Sequence, residues 1–239
     1  FLNNFERASL EVKIKILKDS ESRGPEQMGP LYVEALQYVV SSADKLKTDS
    51  LMRELASVSA QLAGKSGSKQ AANPLWDLFK VNEETLVRMT ILRALGDIAE
   101  PGTQTVVRLN DWVSKQNAAF RAGADPDFQV LEVAVESLGK IGDASSFIPL
   151  LNARLNQYSA RISDAAMTSI RNLEGNVPAL LLNAYQKSTL DRKIQIMTLF
   201  LDSDELTDAE EAQLAGVALR EAVSMAASAV SDSKAIRTL

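Results

Sequence analysis

The chain has 239 residues, 46% hydrophobic and 24% charged, so it can bury a large core and has the composition of an ordinary globular protein. It contains neither cysteine nor histidine, which excludes disulfides, thiolate nucleophiles, Cys/His zinc sites and histidine acid–base catalysis. Its net charge of −5 argues against nucleic-acid binding, which depends on Lys and Arg side chains that neutralise phosphates.

Apolar residues recur with the 3.6-residue period of a helix along nearly the whole chain, and no stretch alternates strictly as a strand would. Gly, Pro and acidic residues interrupt this pattern at 20–30, 64–73, 100–102, 122–126, 142–143, 175–178 and 202–208. The segments between these breaks have ordinary helix lengths, so we predict an all-α fold of about a dozen antiparallel helices. No apolar stretch reaches the ~18 residues of a membrane-spanning helix.

In the segment 83–99, one apolar helix face is predicted to contain Leu86, Val87, Thr90, Ile91, Ala94, Leu95 and Ile98. Its end, Ala94-Leu95-Gly96-x-Ile98, recurs 43 residues later as Ser137-Leu138-Gly139-x-Ile141. A more divergent copy contains Ser169-Ile170, and a weaker one runs from Leu51 to Leu62. Repeats of this kind are helix pairs that bury their apolar faces only by stacking on one another.

Val87-Arg88 followed by the Ala94–Ile98 pattern resembles the inner helix of a bacterial HEAT repeat, and residues 130–143 resemble it more closely. The resemblance implies an α–α superhelix, a HEAT-like solenoid that forms a single domain over residues 1–239. Its clearest repeats lie at 51–187, and its divergent ends at 1–50 and 188–239. We expect Ala94 and Ser137 to let neighbouring helices approach, and the glycine after each leucine to tighten the helix end.

Acidic residues gather at two of the breaks. Asp125 and Asp127 flank Pro126, where helix capping is favoured over catalysis. The second group consists of Asp202, Asp204, Glu205 and Asp208. It lacks the glycine and the distal glutamate of a calcium-binding loop. Thr207 and Glu210 have the spacing of a capping box. No metal site and no cofactor are predicted.

Two further motifs have a structural interpretation. Gly64-Lys65-Ser66 matches the last three residues of a phosphate-binding loop motif. That motif also needs glycine at the position of Ser59 and a strand before the loop, and both are missing. We therefore interpret the segment as an inter-repeat loop. Trp76 is expected in the core. Trp112 is also expected to be buried, with contact to a partner as the alternative.

The helices that line the concave side of a HEAT-like solenoid offer a surface for extended partners. By periodicity, six charged residues look out there from two adjacent repeats: Glu84, Arg88, Arg93, Glu132, Glu136 and Lys140. Their mixed signs fit contact with a protein better than with phosphates. An ordinary solvated surface with weak pairs within each helix is the alternative.

The resemblance therefore implies a non-catalytic scaffold that binds a protein partner. One alternative is a HEAT-like enzyme that excises alkylated DNA bases or attaches bilin pigments; the acidic charge disfavours the DNA enzyme. Another is a structural module of an exported bacterial repeat protein, suggested by Leu206–Glu210 before an Ala-rich helix. The start at Phe1 indicates a fragment or a processed product, so the compartment, cytoplasmic or bacterial extracytoplasmic, and the oligomeric state stay open.

Overall fold

A computed structural model describes residues 5–201 and 207–238, with side chains at 5–200 and 207–228. This part of the chain contains α-helices, short 3₁₀ turns and no strand, which confirms the predicted all-α helical-repeat fold. The helices are α1 Leu10–Glu21, α2 Gly29–Ser41, α3 Ser50–Lys65, α4 Ala72–Val81, α5 Thr85–Ile98, α6 Gln104–Arg121, α7 Phe128–Ile141, α8 Phe147–Leu155, α9 Ala160–Arg171, α10 Val177–Gln186, α11 Leu190–Leu201 and α12 Asp208–Thr238.

The chain divides into two compact units, Phe1–Gly175 and Asn176–Leu239. The sequence predicts one domain with its clearest repeats ending near residue 187, and the boundary between the units falls inside that range. None of the described helices combines the length and the apolar character that crossing a bilayer requires.

The first unit is built from two layers of helices. Helices α1, α3, α5, α7 and α9 pack side by side in chain order, and we call them the first layer. The second layer, α2, α4, α6 and α8, stacks in the same order, and each of its helices packs on the first-layer helix that follows it. The core between the layers is aliphatic and includes Leu55, Ile91, Leu95, Leu138 and Leu150.

Glycines on the first-layer helices bring neighbouring backbones into contact. A Cβ atom on Gly64 would lie 2.9 Å from the Cα atom of Ala94, and one on Gly96 would lie 3.1 Å from that of Ser137. A Cβ on Gly139 would lie 2.6 Å from the Cα of Ser169. The glycine after leucine thus serves close approach of the next helix rather than the helix ending that the sequence suggests, and the small residue two positions earlier receives the glycine of the preceding repeat.

Hydrogen bonds accompany two of these crossings. The Ser137 hydroxyl lies 2.9 Å from the carbonyl of Leu92 on α5 and 2.8 Å from that of Val133 on its own helix, so its one proton is shared between them. The Ser169 hydroxyl donates to the carbonyl of Val135 on α7 at 3.0 Å. Leu92 and Val135 each lie four residues before the glycine of their helix, so the two inter-helix contacts occupy equivalent positions. This places Ser137 and Ser169 at the same repeat position, as the sequence copies predict.

The second unit contains α10, α11 and α12, with a small core of Leu181, Tyr185, Ile196, Phe200 and Leu214. Lys193 on α11 pairs with Glu221 on α12 and lies 5.4 Å from the centre of the Tyr185 ring. Helix α12 begins with a capping box, in which Thr207 N donates to Glu210 Oε2 at 2.9 Å and Glu210 N donates to Thr207 Oγ1 at 3.4 Å. The capping box predicted from the sequence is confirmed.

Candidate functional site

Three of the six charged residues predicted to line a partner surface form ion pairs with a neighbouring first-layer helix. Glu84, at the start of α5, lies 3.6 Å from Arg53 on α3. Glu132 on α7 accepts from Arg161 on α9 at 2.8 Å. Lys140 on α7 pairs with Asp97 on α5. These side chains already have protein partners, so a ligand would have to displace or share them.

Arg88 has a different environment from the one predicted. Its guanidinium carbon lies 4.4 Å from the Phe79 ring centre and 5.6 Å from that of Trp112, between second-layer helices α4 and α6. Burial lowers its pKa, and the charge of Asp127 partly offsets this effect. Its Nε is buried without a hydrogen-bond partner in the described part of the chain. Arg88 therefore packs against rings instead of looking out from the first layer.

Arg93 and Glu136 are the two predicted residues that stay exposed and, among the described residues, form no ion pair. They lie 43 residues apart, at the same repeat position on α5 and α7. Leu86 shares their exposed strip of α5, with 66% of its surface accessible, although periodicity places it on the apolar face. The exposed strip of α5 contains positions 86, 93 and 97, and each of them directly precedes a buried residue at 87, 94 or 98.

Ion pairs join consecutive helices along much of the exposed face of the first layer. Besides Asp97–Lys140 and Glu132–Arg161, Lys18 pairs with Glu54 at 2.7 Å and Glu21 with Lys65 at 2.5 Å, both between α1 and α3. Exposed pairs of this kind contribute about 0–1 kcal/mol each. Their main effect is to balance charge, so this face presents little net potential to a ligand.

Of the acidic residues singled out in the sequence, Asp127 serves as a helix cap, whereas Asp125 is exposed and has no hydrogen bond among the described residues. Asp127 accepts from the backbone N–H groups of Gln129 and Val130 at 3.1 Å and so caps α7. Asp202, Asp204 and Glu205 lie outside the described residues. Among the side chains that the structure describes, at 5–200 and 207–228, no three acidic residues are grouped so that they could hold a metal ion.

A second surface of the first unit is more distinctive, and we call it the loop edge. It consists of the four connections from a second-layer helix to the next first-layer helix: 42–49, 82–84, 122–127 and 156–159. Lys47 pairs with Glu83 at 3.1 Å, and Thr85, at the start of α5, donates to Asp127 at 2.5 Å. The rings of Phe128 and Tyr158 lie 6.1 Å apart. Side chains at or beside each connection therefore touch those of the next.

The loop edge contains a groove of about 540 Å³ between its first two connections. The lining residues are Leu46, Lys47, Arg53, Val81, Asn82, Glu83 and Glu84. Arg53 donates to the carbonyls of Leu46 and Lys47 at 3.2 and 3.3 Å and so fixes the first connection. Leu46 is buried, whereas Val81 is 40% exposed, so the groove combines an apolar lining with charges of both signs.

An aromatic cluster occupies the other end of the loop edge. Phe120 packs on Tyr158, with ring centres 4.1 Å apart, and Phe128 joins them with 37% of its surface exposed. The Tyr158 hydroxyl donates to Asn117 Oδ1 at 3.0 Å, and Asn117 is buried and donates to Pro149 O at 2.9 Å. Burial raises the pKa of Tyr158. The cluster is firmly anchored, and Phe128 is its accessible face.

The sequence signals for the loop edge were weak. Val81 and Leu86 fall in an otherwise regular helical pattern, and Asn82 resembles any polar loop residue. Recognising the edge requires the stacking of four connections whose first residues are 34–40 residues apart in the chain. Helical periodicity predicts which residues lie along the face of a helix, but it does not predict which side chains meet at the helix ends.

No protein-family model matches this chain, and a comparison with curated proteins finds no significant relative. The all-α helical-repeat fold therefore rests on the helix packing described above. The HEAT resemblance rests on the repeated small-Leu-Gly pattern and on the stacking that this pattern accompanies.

Proposed function

We propose that this chain is a HEAT-like, non-catalytic scaffold that binds a protein partner, and that the loop edge is its contact surface. The observation that carries the proposal is the run of exposed apolar side chains and the groove along one edge of the first unit. Val81, Leu86 and Phe128 are each more than one-third exposed and lie at the ends of adjacent helices. Exposed apolar groups flanked by polar ones are typical of protein–protein contact sites.

The charges of the loop edge support a protein partner over a polyanion. Lys47 and Arg53 are matched by Glu83 and Glu84, which lie 3.1 and 3.6 Å from them. A nucleic acid would need an excess of positive charge along its path. We therefore expect a partner that contributes apolar side chains and little net charge at this surface.

The test places a photo-reactive amino acid at position 86 and, separately, at position 107, in cells of the organism that encodes the chain. Val107 is 54% exposed on second-layer helix α6, so it controls for exposure of an apolar side chain away from the loop edge. We expect a discrete crosslinked protein from position 86 and none from position 107. The crosslinked protein is then purified and its affinity for the chain is measured directly.

Surface variants decide whether that binding uses the loop edge. Leu86→Glu should weaken binding at least tenfold, since a charge would be desolvated at the contact, whereas Val107→Glu should leave it unchanged. Equal crosslinking from both positions, or equal affinity of both variants, contradicts the proposal. Binding that is lost in Arg93→Glu and Glu136→Lys but kept in Leu86→Glu would move the contact to the exposed face of the first layer.

A further inference from the structure

We infer that the groove on the loop edge binds an uncharged, extended peptide segment, with Asn82 donating a hydrogen bond to a main-chain carbonyl and Leu46 and Val81 contacting an apolar side chain. The inference rests on the proposed function and names the part of the partner that this site would recognise. Four properties of the groove carry it.

Asn82 provides a hydrogen-bond donor that the fold does not use. The residue is only 4% exposed, and its Oδ1 accepts from the backbone N–H of Glu84 at 2.9 Å, in an Asx turn that starts α5. That bond fixes the orientation of the side-chain amide and leaves Nδ2 as the polar atom available to a ligand. Asn82 also lines the groove. Among the described residues Nδ2 has no hydrogen-bond acceptor. A nearly buried amide with a free N–H at a groove is suited to a carbonyl oxygen.

The lining offers both donors and acceptors around an apolar patch. Lys47 and Arg53 donate, the carboxylates of Glu83 and Glu84 accept, and their charges cancel. A peptide main chain alternates carbonyl and N–H groups and carries no net charge, so it matches this arrangement. A strongly charged ligand would meet repulsion from one member of each pair, whichever sign it carried.

The dimensions favour a short segment. A groove of about 540 Å³ lies within the range of ordinary ligand sites and accommodates one side chain with its flanking peptide groups. Leu86 and Phe128, both exposed, lie at the starts of α5 and α7, beside the second and third connections of the loop edge. An extended segment can therefore continue past the groove, which a compact small molecule would not do.

The Lys47–Glu83 pair joins the two connections that form the walls of the groove, at 3.1 Å. Both side chains are largely exposed. An exposed pair is easily separated by a ligand, because water solvates both groups when it opens. Entry of a peptide thus needs no rearrangement of the core.

The test uses N-acetyl-leucine N′-methylamide, which carries one apolar side chain and two amide carbonyls, as the probe. It is titrated into the whole ¹⁵N-labelled chain, and the Asn82 side-chain amide and the backbone N–H groups of residues 81–84 are followed by NMR. We expect saturable shifts at these positions. The N-acetyl-aspartate analogue, which adds a charge, should shift them at least fivefold less at the same concentration.

The matched variant is Asn82→Asp, which keeps the acceptor for Glu84 N–H, removes the donor and adds a carboxylate charge. It should bind the leucine probe about five- to tenfold more weakly, which corresponds to one lost hydrogen bond, while its thermal unfolding stays within the range of the unmodified chain. Val81→Ser, at an exposed position, should also weaken the probe. Absence of shifts up to the solubility limit of the probe overturns the inference, and so does unchanged affinity in Asn82→Asp. If a partner is crosslinked at position 86 but the probe causes no shifts at the groove, this inference alone is wrong. If the probe binds but no partner is crosslinked at position 86, only the proposed function is wrong.

Discussion

Gly139 and Ser169 hold α7 and α9 so close that a methyl group on residue 139 would lie 2.6 Å from the Ser169 Cα atom. Because that atom belongs to the backbone, Gly139→Ala must push the two helices apart. We expect a loss of about 3 kcal/mol in the free energy of unfolding, measured by urea denaturation. Gly96→Ala, whose Cβ would lie 3.1 Å from the Ser137 Cα atom, should cost about 1 kcal/mol.

Gly216 is the matched control for these glycines. It lies within α12, and a Cβ there would meet only the tip of Arg220, at 3.8 Å. Gly216→Ala should raise helix stability by up to about 1 kcal/mol, since alanine loses less backbone entropy than glycine. If Gly139→Ala is tolerated as well as Gly216→Ala, close approach is not what this glycine provides.

The hydroxyls of Ser137 and Ser169 are predicted to stabilise the stacking through their bonds to the preceding helix. Replacing either by alanine should cost about 1 kcal/mol, the usual net value of one buried hydrogen bond. Ser59→Ala is the control, because its buried hydroxyl donates to Leu55 within its own helix at 2.6 Å. Equal losses at positions 59, 137 and 169 in urea denaturation would show that the inter-helix bonds have no special weight.

Arg88 is predicted to stabilise the contact between the two layers through its charge. Arg88→Met keeps much of the side-chain stem but removes the attraction to the rings of Phe79 and Trp112, so we expect a loss of about 1–2 kcal/mol. Tryptophan fluorescence should change with it. Arg93→Met, at an exposed position on the same helix, should alter stability by no more than about 0.5 kcal/mol and leave the fluorescence unchanged.

Asp143 is predicted to make stability depend on acid pH. Burial raises its pKa, but hydrogen bonds from Gly102 N and from Ser145 outweigh this and hold the pKa below its ordinary value of 3.8. The pKa of Asp143 is lower in the folded chain than in the unfolded chain. Its contribution to the free energy of unfolding is therefore complete above the unfolded pKa and disappears as the pH falls through the folded pKa.

Asp143→Asn should therefore reduce stability near neutral pH by about 1–2 kcal/mol and flatten the loss of stability below about pH 4. Thermal unfolding as a function of pH measures both effects. Asp125→Asn removes an exposed carboxylate that has no hydrogen bond among the described residues, so it controls for the change in net charge. A parallel pH profile in Asp143→Asn and the unmodified chain contradicts the prediction.

Periodicity predicted the helices well because burial dominates this fold. Ile91, Leu95 and Leu138 recur at helical spacing and are all buried. The repeat register also followed from the sequence, since Ala94, Ser137 and Ser169 each sit two residues after a core position and receive a neighbouring helix. Such positions tolerate only small residues, which leaves a readable pattern.

The candidate site was harder to predict, because it depends on which helix end lies beside which. Arg88 has the spacing of a surface residue, but two rings from another layer cover it. Leu86 has the spacing of a core residue, yet its side chain is exposed on the surface of α5. The position of Arg88 depends on contacts with residues 9 and 24 positions away in the chain, which the periodicity of a single helix does not report.

The glycine contacts between first-layer helices show that the stacking of the repeats does not depend on the length of each repeat. Gly64 and Gly96 are 32 residues apart, and Gly96 and Gly139 are 43 apart, yet each makes the same contact with the next helix. Much of the difference lies in the second layer, where α6 has 18 residues while α4 has 10 and α8 has 9. Insertions and deletions can therefore remodel the outer helices and the connections that carry the loop edge while the stacked backbone stays in place, so that new binding specificities can arise on an unchanged frame.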